Sequence, residues 1–97
     1  MLPVDYMPNV KRYFKKLKDN TLKNRFKESI LNIRNNPYSG EAKNGDLKGL
    51  YCIDIFHNGI NYELAYRISK LDNGDFIIII MAGTRENFYK DLKRYLK

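Results

Sequence analysis

The sequence is short of the residues that build covalent or metal-held scaffolds. Of its 97 residues one is cysteine, Cys52, and one is histidine, His57. A lone thiol forms no internal disulfide and no thiolate cluster, which fits a reducing cytosol, and no metal-ligand spacing is present. Glycine numbers six and proline three. Gly40, Gly45 and Gly49 form neither a GxGxxG pattern nor a phosphate-binding loop, so no nucleotide cofactor is expected. Long apolar runs are missing as well. The longest, Phe76 to Ala82, falls far below the roughly 20 residues that span a bilayer and reads as a buried strand. Met1 to Pro8 shows neither a positive start nor an apolar stretch with a cleavage site, so the expected location is cytoplasmic.

What the chain does have is apolar bulk and localised positive charge. A chain of this length buries only about 60 to 65% of its unfolded surface, so one core and a single domain spanning 1–97 are expected. The hydrophobic share of 43%, with 13% aromatic, suits a packed globule rather than a disordered chain. Net charge is +7, and residues 11 to 34 hold nine Lys or Arg against only Asp19 and Glu28. That segment therefore carries the whole excess. Its field favours RNA, DNA or an acidic protein, or else it is simply a solvated helix surface.

Periodicity divides the chain. Val4 to Met7, bracketed by Pro3 and Pro8, reads as a short edge strand. Val10, Tyr13, Phe14 and Leu17 recur at helical spacing, with Asn9 as the expected N-cap and an end near Lys18. Asp19-Asn20-Thr21 offers cap chemistry for a second helix through Leu22, Phe26, Ile30 and Ile33, which Asn35-Asn36-Pro37 ends. Pro37 to Gly49 shows no period and reads as a loop. The period then becomes two. Tyr51 to His57 and Ile60 to Ile68 alternate around Asn58-Gly59, whose preference for positive φ marks a type I′ hairpin turn. A two-residue turn sets the register: His57 faces Ile60, Ile55 faces Tyr62, and Asp54 faces Glu63. Asp72-Asn73-Gly74 makes the next turn, and Phe76 to Ala82 follows as a central strand, apolar on both faces. Phe88, Leu92, Tyr95 and Leu96 give a last helix, with Thr84 as its expected N-cap. The predicted fold is α+β, a helical hairpin packed on an antiparallel sheet, with the opposite sheet face left for function.

This order resembles the RelE/ParE toxin superfamily over almost the whole chain. The resemblance rests on Val10 to Leu17 with the long helix after it, Asn36-Pro37, and the loop Gly45 to Gly49. It extends to the strand Tyr62-Glu63-Leu64-Ala65-Tyr66-Arg67-Ile68 and the ending Ala82-Gly83-Thr84-Arg85-Glu86-Asn87-Phe88-Tyr89. It implies a toxin of a type II toxin-antitoxin system, neutralised by a cognate antitoxin protein. The implied target is mRNA on the ribosome in the RelE branch or DNA gyrase in the ParE branch.

RelE-like nucleases drive the RNA 2′-hydroxyl onto the neighbouring phosphate, which calls for a base, an acid and cations. Arg85 matches the arginine after the last strand in nuclease members. An arginine in the first turn of a helix gains by recruiting an anion such as phosphate; the plainer role is a surface arginine paired with Glu86 or a sheet carboxylate. Tyr89, one turn later, is a base-stacking or proton-donating candidate, or a core tyrosine. Nuclease members place basic residues where this chain has Cys52, Asp54 and Glu63. Asp54 and Glu63 then have three candidate roles: a salt-bridged surface pair, a coupled general acid/base, or part of a face for a basic partner. Arg67, Arg85 or a loop lysine would offset their charge, and Lys43, Lys48 and Arg67 are the remaining RNA-contact candidates. His57 reads as a strand-end residue and Cys52 as a small semi-buried one. The leading expectation is ribosome-dependent mRNA cleavage without cofactor or metal. The alternative is a gyrase poison acting by protein binding, and a third class is a binding module whose catalysis has decayed.

Overall fold

The computed structural model describes residues 1–97 as three helices and one five-stranded sheet. The order is β1 (Val4–Tyr6), α1 (Pro8–Lys16), α2 (Asn20–Asn35), β2 (Glu41–Ala42), β3 (Tyr51–His57), β4 (Ile60–Leu71), β5 (Gly74–Thr84) and α3 (Phe88–Tyr95). A short 3-10 turn, Gly45–Leu47, separates β2 from β3. Strands are arranged β1-β5-β4-β3-β2. The predicted α+β class, helical hairpin, meander and terminal helix are all present.

Asn58 and Gly59 adopt φ of 50° and 77°, as a type I′ turn demands, and the hairpin register follows from them. His57 pairs with Ile60, Ile55 with Tyr62 and Asp54 with Glu63, each as the sequence pattern predicts. Beside the turn, His57 Nε2 lies 3.0 Å from Asp19 Oδ2, while the other oxygen of Asp19 accepts the Leu22 N–H and caps α2. One carboxylate thus joins the helical hairpin to the strand hairpin.

Several elements differ from the sequence-based expectation. The sheet is mixed rather than antiparallel, because β1 runs parallel to β5. The predicted loop 37–49 contains β2, which pairs Glu41 with Cys52 and Ala42 with Tyr51. Two exposed residues give no alternation to read, so nothing in the sequence marks this strand. Asn9 is not an N-cap; Met7 holds that position, and Pro8 begins the helix, where its missing N–H costs nothing. Asn9 Nδ2 donates instead to the Ile80 carbonyl. That carbonyl belongs to a β-bulge, since Ala65 pairs with Met81 and Tyr66 with Ile79, leaving Ile80 without a partner.

The sheet carries apolar residues on both faces. Under α1 and α2, Val10, Leu22, Phe26, Ile30 and Ile33 meet Ile55, Leu64, Tyr66, Ile77, Ile79 and Ala82. On the other face, Leu47, Leu50, Phe88 and Leu92 pack with Cys52, Ala65 and Ile80. The expected open functional face is therefore partly roofed by α3 and the 3-10 turn. β5 is an interior strand flanked by β1 and β4, as its double-sided apolar run predicts, with Ile77 and Ile79 in the first core and Ile80 in the second.

Fully buried Tyr66 ties the β2 approach to the sheet. Its hydroxyl donates to the Pro37 carbonyl (2.7 Å) and accepts the Gly40 N–H (3.1 Å). A Cβ on Gly40 would stand 2.6 Å from that oxygen, so glycine is required by close approach. Tyr66→Phe leaves the half-buried Gly40 N–H and Pro37 carbonyl without this partner and should cost about 0.5–1.5 kcal/mol in urea denaturation; a loss under about 0.5 kcal/mol would show that this tie contributes nothing.

Candidate functional site

The hairpin register places Asp54 directly opposite Glu63, and β5 places Gly83 on the other flank of Glu63. A glycine there leaves open space above the strand, with no heavy atom within 4 Å of where its Cβ would be. Arg85 N–H donates to the Asn61 carbonyl (2.8 Å), fixing the exit from the sheet. Asn87 then turns the chain at φ 63° into α3. Phe88 and Leu92 anchor α3 in the second core, which carries Tyr89 back over the sheet. Its hydroxyl donates to Glu63 Oε2 at 2.5 Å.

Glu63 is 1% exposed, the one charged residue that the fold buries. Arg85 Nε approaches its Oε1 at 3.4 Å without hydrogen-bond geometry, so that oxygen is buried and free of any hydrogen bond. Burial pushes the carboxyl above its ordinary range; adjacent Asp54 adds to the rise, while Tyr89 and Arg85 partly oppose it. Burial, and then the bond to Glu63, raise the Tyr89 phenol so that it stays protonated and able to donate. Lys43 Nζ sits 4.9 Å from the centre of the Tyr89 ring and pairs with Glu41, which holds its ammonium strongly protonated. Arg85 also reaches Asp54 at 4.0 Å. The Cys52 thiol at the floor is pushed up to about 11 by burial, which leaves it an unreactive thiol. Together Glu41, Lys43, Cys52, Asp54, Glu63, Arg85 and Tyr89 enclose about 50 Å³. That volume admits a water or one polar group of a ligand, so a larger ligand would lie across the mouth.

The model of the ParE-like toxin of type II bacterial toxin-antitoxin systems matches residues 4–93. The chain belongs to this family. No curated protein matches it. Among solved structures, this ParE-like toxin resembles an arginine-to-alanine double mutant of the E. coli toxin RelE in the free state. The TM-score is 0.73 at 16% identity, over 97% of this chain and 92% of that one. It also resembles a chain of the intact E. coli RelBE toxin-antitoxin complex, with a TM-score of 0.69 at 19% identity, over 86% and 95% of the two chains. At such identities the likeness is one of fold.

Within this ParE-like toxin, five of the residues singled out from sequence, Asp54, Glu63, Arg85, Tyr89 and Lys43, line one pocket. Lys48 and Arg67 do not. Lys48 follows the 3-10 turn and is exposed while its neighbour Leu47 points inward; Arg67 is exposed further along β4, opposite Ile78. Arg85 lies outside α3, since Thr84 ends β5 and Asn87 is the N-cap, so it gains nothing from a helix terminus. Its position comes from the Asn61 bond instead. Glu63 lies on the sheet face away from the helical hairpin, as the alternation implies, but α3 and Tyr89 cover it. Glu41 escaped the sequence reading because only its pairing with Cys52 brings it to this face.

Proposed function

We propose that this toxin blocks translation by cleaving mRNA on the ribosome and that a cognate antitoxin holds it silent. The carrying observation is the buried, hydrogen-bond-free Oε1 of Glu63 beside Arg85, Tyr89 and Lys43. Paired charge and burial together are what general acid/base chemistry needs near neutral pH. In the proposed reaction ionised Glu63 takes the 2′-hydroxyl proton, the 2′-oxygen bonds to phosphorus, and the bond to the 5′-oxygen breaks. The departing oxygen takes a proton from solvent. Arg85, more than half exposed at the mouth, faces the phosphate, and Lys43 adds positive charge behind Tyr89. Tyr89 orients the carboxylate through the 2.5 Å bond. Asp54 holds Arg85 from the opposite strand. The antitoxin reading is supported by the family and by the RelBE likeness.

Primer-extension mapping of transcripts after induction should show cuts within ribosome-bound codons, and Arg85→Ala should lower the cleavage rate about 10²–10³-fold. Gyrase-linked DNA breaks without mRNA cuts would instead place the toxin in the gyrase-poison branch. Undiminished cleavage by soluble Arg85→Ala would remove the arginine from the reaction.

A further inference from the structure

Four of the five phenylalanines are partly or wholly buried; Phe56 is 60% exposed. Along β3 the alternation puts Cys52, Asp54 and Phe56 on the pocket face, while Ile53, Ile55 and His57 turn to the helices. Phe56 therefore stands one side-chain repeat beyond Asp54, about 7 Å along the strand. It pairs across the hairpin with Asn61, whose carbonyl anchors the Arg85 N–H. β2 covers β3 only at Tyr51 and Cys52, so the ring lies beyond the covered part of the strand. It makes no aromatic pair with any other ring.

Full burial of a phenylalanine is worth roughly 1.5–3 kcal/mol, and at 60% exposed Phe56 forgoes the larger part of it. A protein partner would need a broader apolar patch. None forms here, since the other exposed apolar residue at the hairpin tip, Ile60, pairs with His57 and belongs to the opposite face. Its neighbours on this face are polar: Asn61 across the hairpin and Asp54 one repeat along the strand, which Arg85 approaches at 4.0 Å. A single flat apolar surface in a polar setting next to a cation suits a planar base flanking a bound phosphate.

We propose that Phe56 is the stacking platform for the nucleobase adjacent to the phosphate held at Arg85. The inference rests on the RNA-cleavage reading. It makes Phe56 a binding residue that positions the strand rather than a participant in bond breaking.

The probe is an mRNA carrying 2-aminopurine beside the mapped cleavage position and a 2′-deoxy nucleotide at it, loaded on ribosomes. Wild-type toxin should quench the 2-aminopurine, and Phe56→Tyr and Phe56→Trp should keep the quench. Phe56→Ala and Phe56→Leu should lose it and weaken binding about 5- to 150-fold, with unchanged melting temperature because the ring is exposed. In cleavage of the all-ribose mRNA, the loss should appear in KM rather than kcat. Full affinity and quench in Phe56→Leu would overturn the proposal in favour of an apolar protein contact. A wild-type toxin that cleaves mRNA without quenching would sink the stacking platform and leave the cleavage reading standing; absence of cleavage would sink both.

Discussion

Glu63→Gln should lower mRNA cleavage about 10²–10⁴-fold and make the protein more stable at neutral pH. The two effects share one cause. Burial raises the folded-state pKa of Glu63 above its ordinary value of 4.5. A group raised in the folded state contributes its stability fully below the unfolded value and loses it as pH rises through the folded one. Glutamine never ionises, so the variant escapes that loss while keeping an oxygen for the Tyr89 hydroxyl. Cleavage by wild type should show an acidic limb above the ordinary carboxylate range, because the base form exists only above the raised pKa. With Asp54 adjacent the limb belongs to the pair, so Asp54→Asn should move it downward by removing a like charge. Single-turnover cleavage and thermal denaturation from about pH 5 to 9 test both halves. A Glu63→Gln protein that cleaves at the wild-type rate would remove the carboxylate from the chemistry, and an unaltered pH dependence of melting would mean that folding does not raise the Glu63 pKa.

Asp54 and Glu63 could be placed opposite one another before any coordinates because Asn58-Gly59 leaves the chain one turn and therefore one register. Local chemistry of that kind is written in adjacent residues. The burial of Glu63 is not, since it depends on α3 folding back, and that depends on the Asn61 carbonyl and the left-handed Asn87 acting together. Thr84 and Asn87 are both acceptable caps by residue type; the pairing of Thr84 with Tyr62 extends β5 and decides between them. In the same way the apolar run Phe76 to Ala82 conceals the bulge at Ile80, because either face accepts isoleucine. Lys48 and Arg67 are RNA-contact candidates by type and neighbourhood, and a 3-10 turn and a further pleat along β4 set them outside the pocket. Residue type and period reveal which chemistry is present, while convergence is a property of the long-range pairings.

Phe26→Ala should be the most destabilising of these substitutions, at about 3–5 kcal/mol, and should lower toxicity through loss of folded protein although Phe26 is not part of the site. Phe26 is 1% exposed and lies at the centre of an aromatic cluster, 6.0 Å from Tyr13, 5.3 Å from Phe14 and 6.0 Å from Tyr62. It joins α1, α2 and β4 at one point. Removing the ring forfeits apolar burial, leaves a cavity, and deletes three ring contacts in tilted or edge-on geometry. A domain of this size has roughly 5–15 kcal/mol in total, so the loss takes a large share of it. Tyr62 is the neighbour of Glu63 on β4, so loosening the cluster also loosens the strand that presents the carboxylate. Phe26→Leu keeps most of the volume and should cost less than half as much, with cleavage per folded molecule unchanged. Urea denaturation and cleavage normalised to folded protein separate the two consequences: a Phe26→Ala loss below about 1.5 kcal/mol would show that the helical hairpin is not held through this ring.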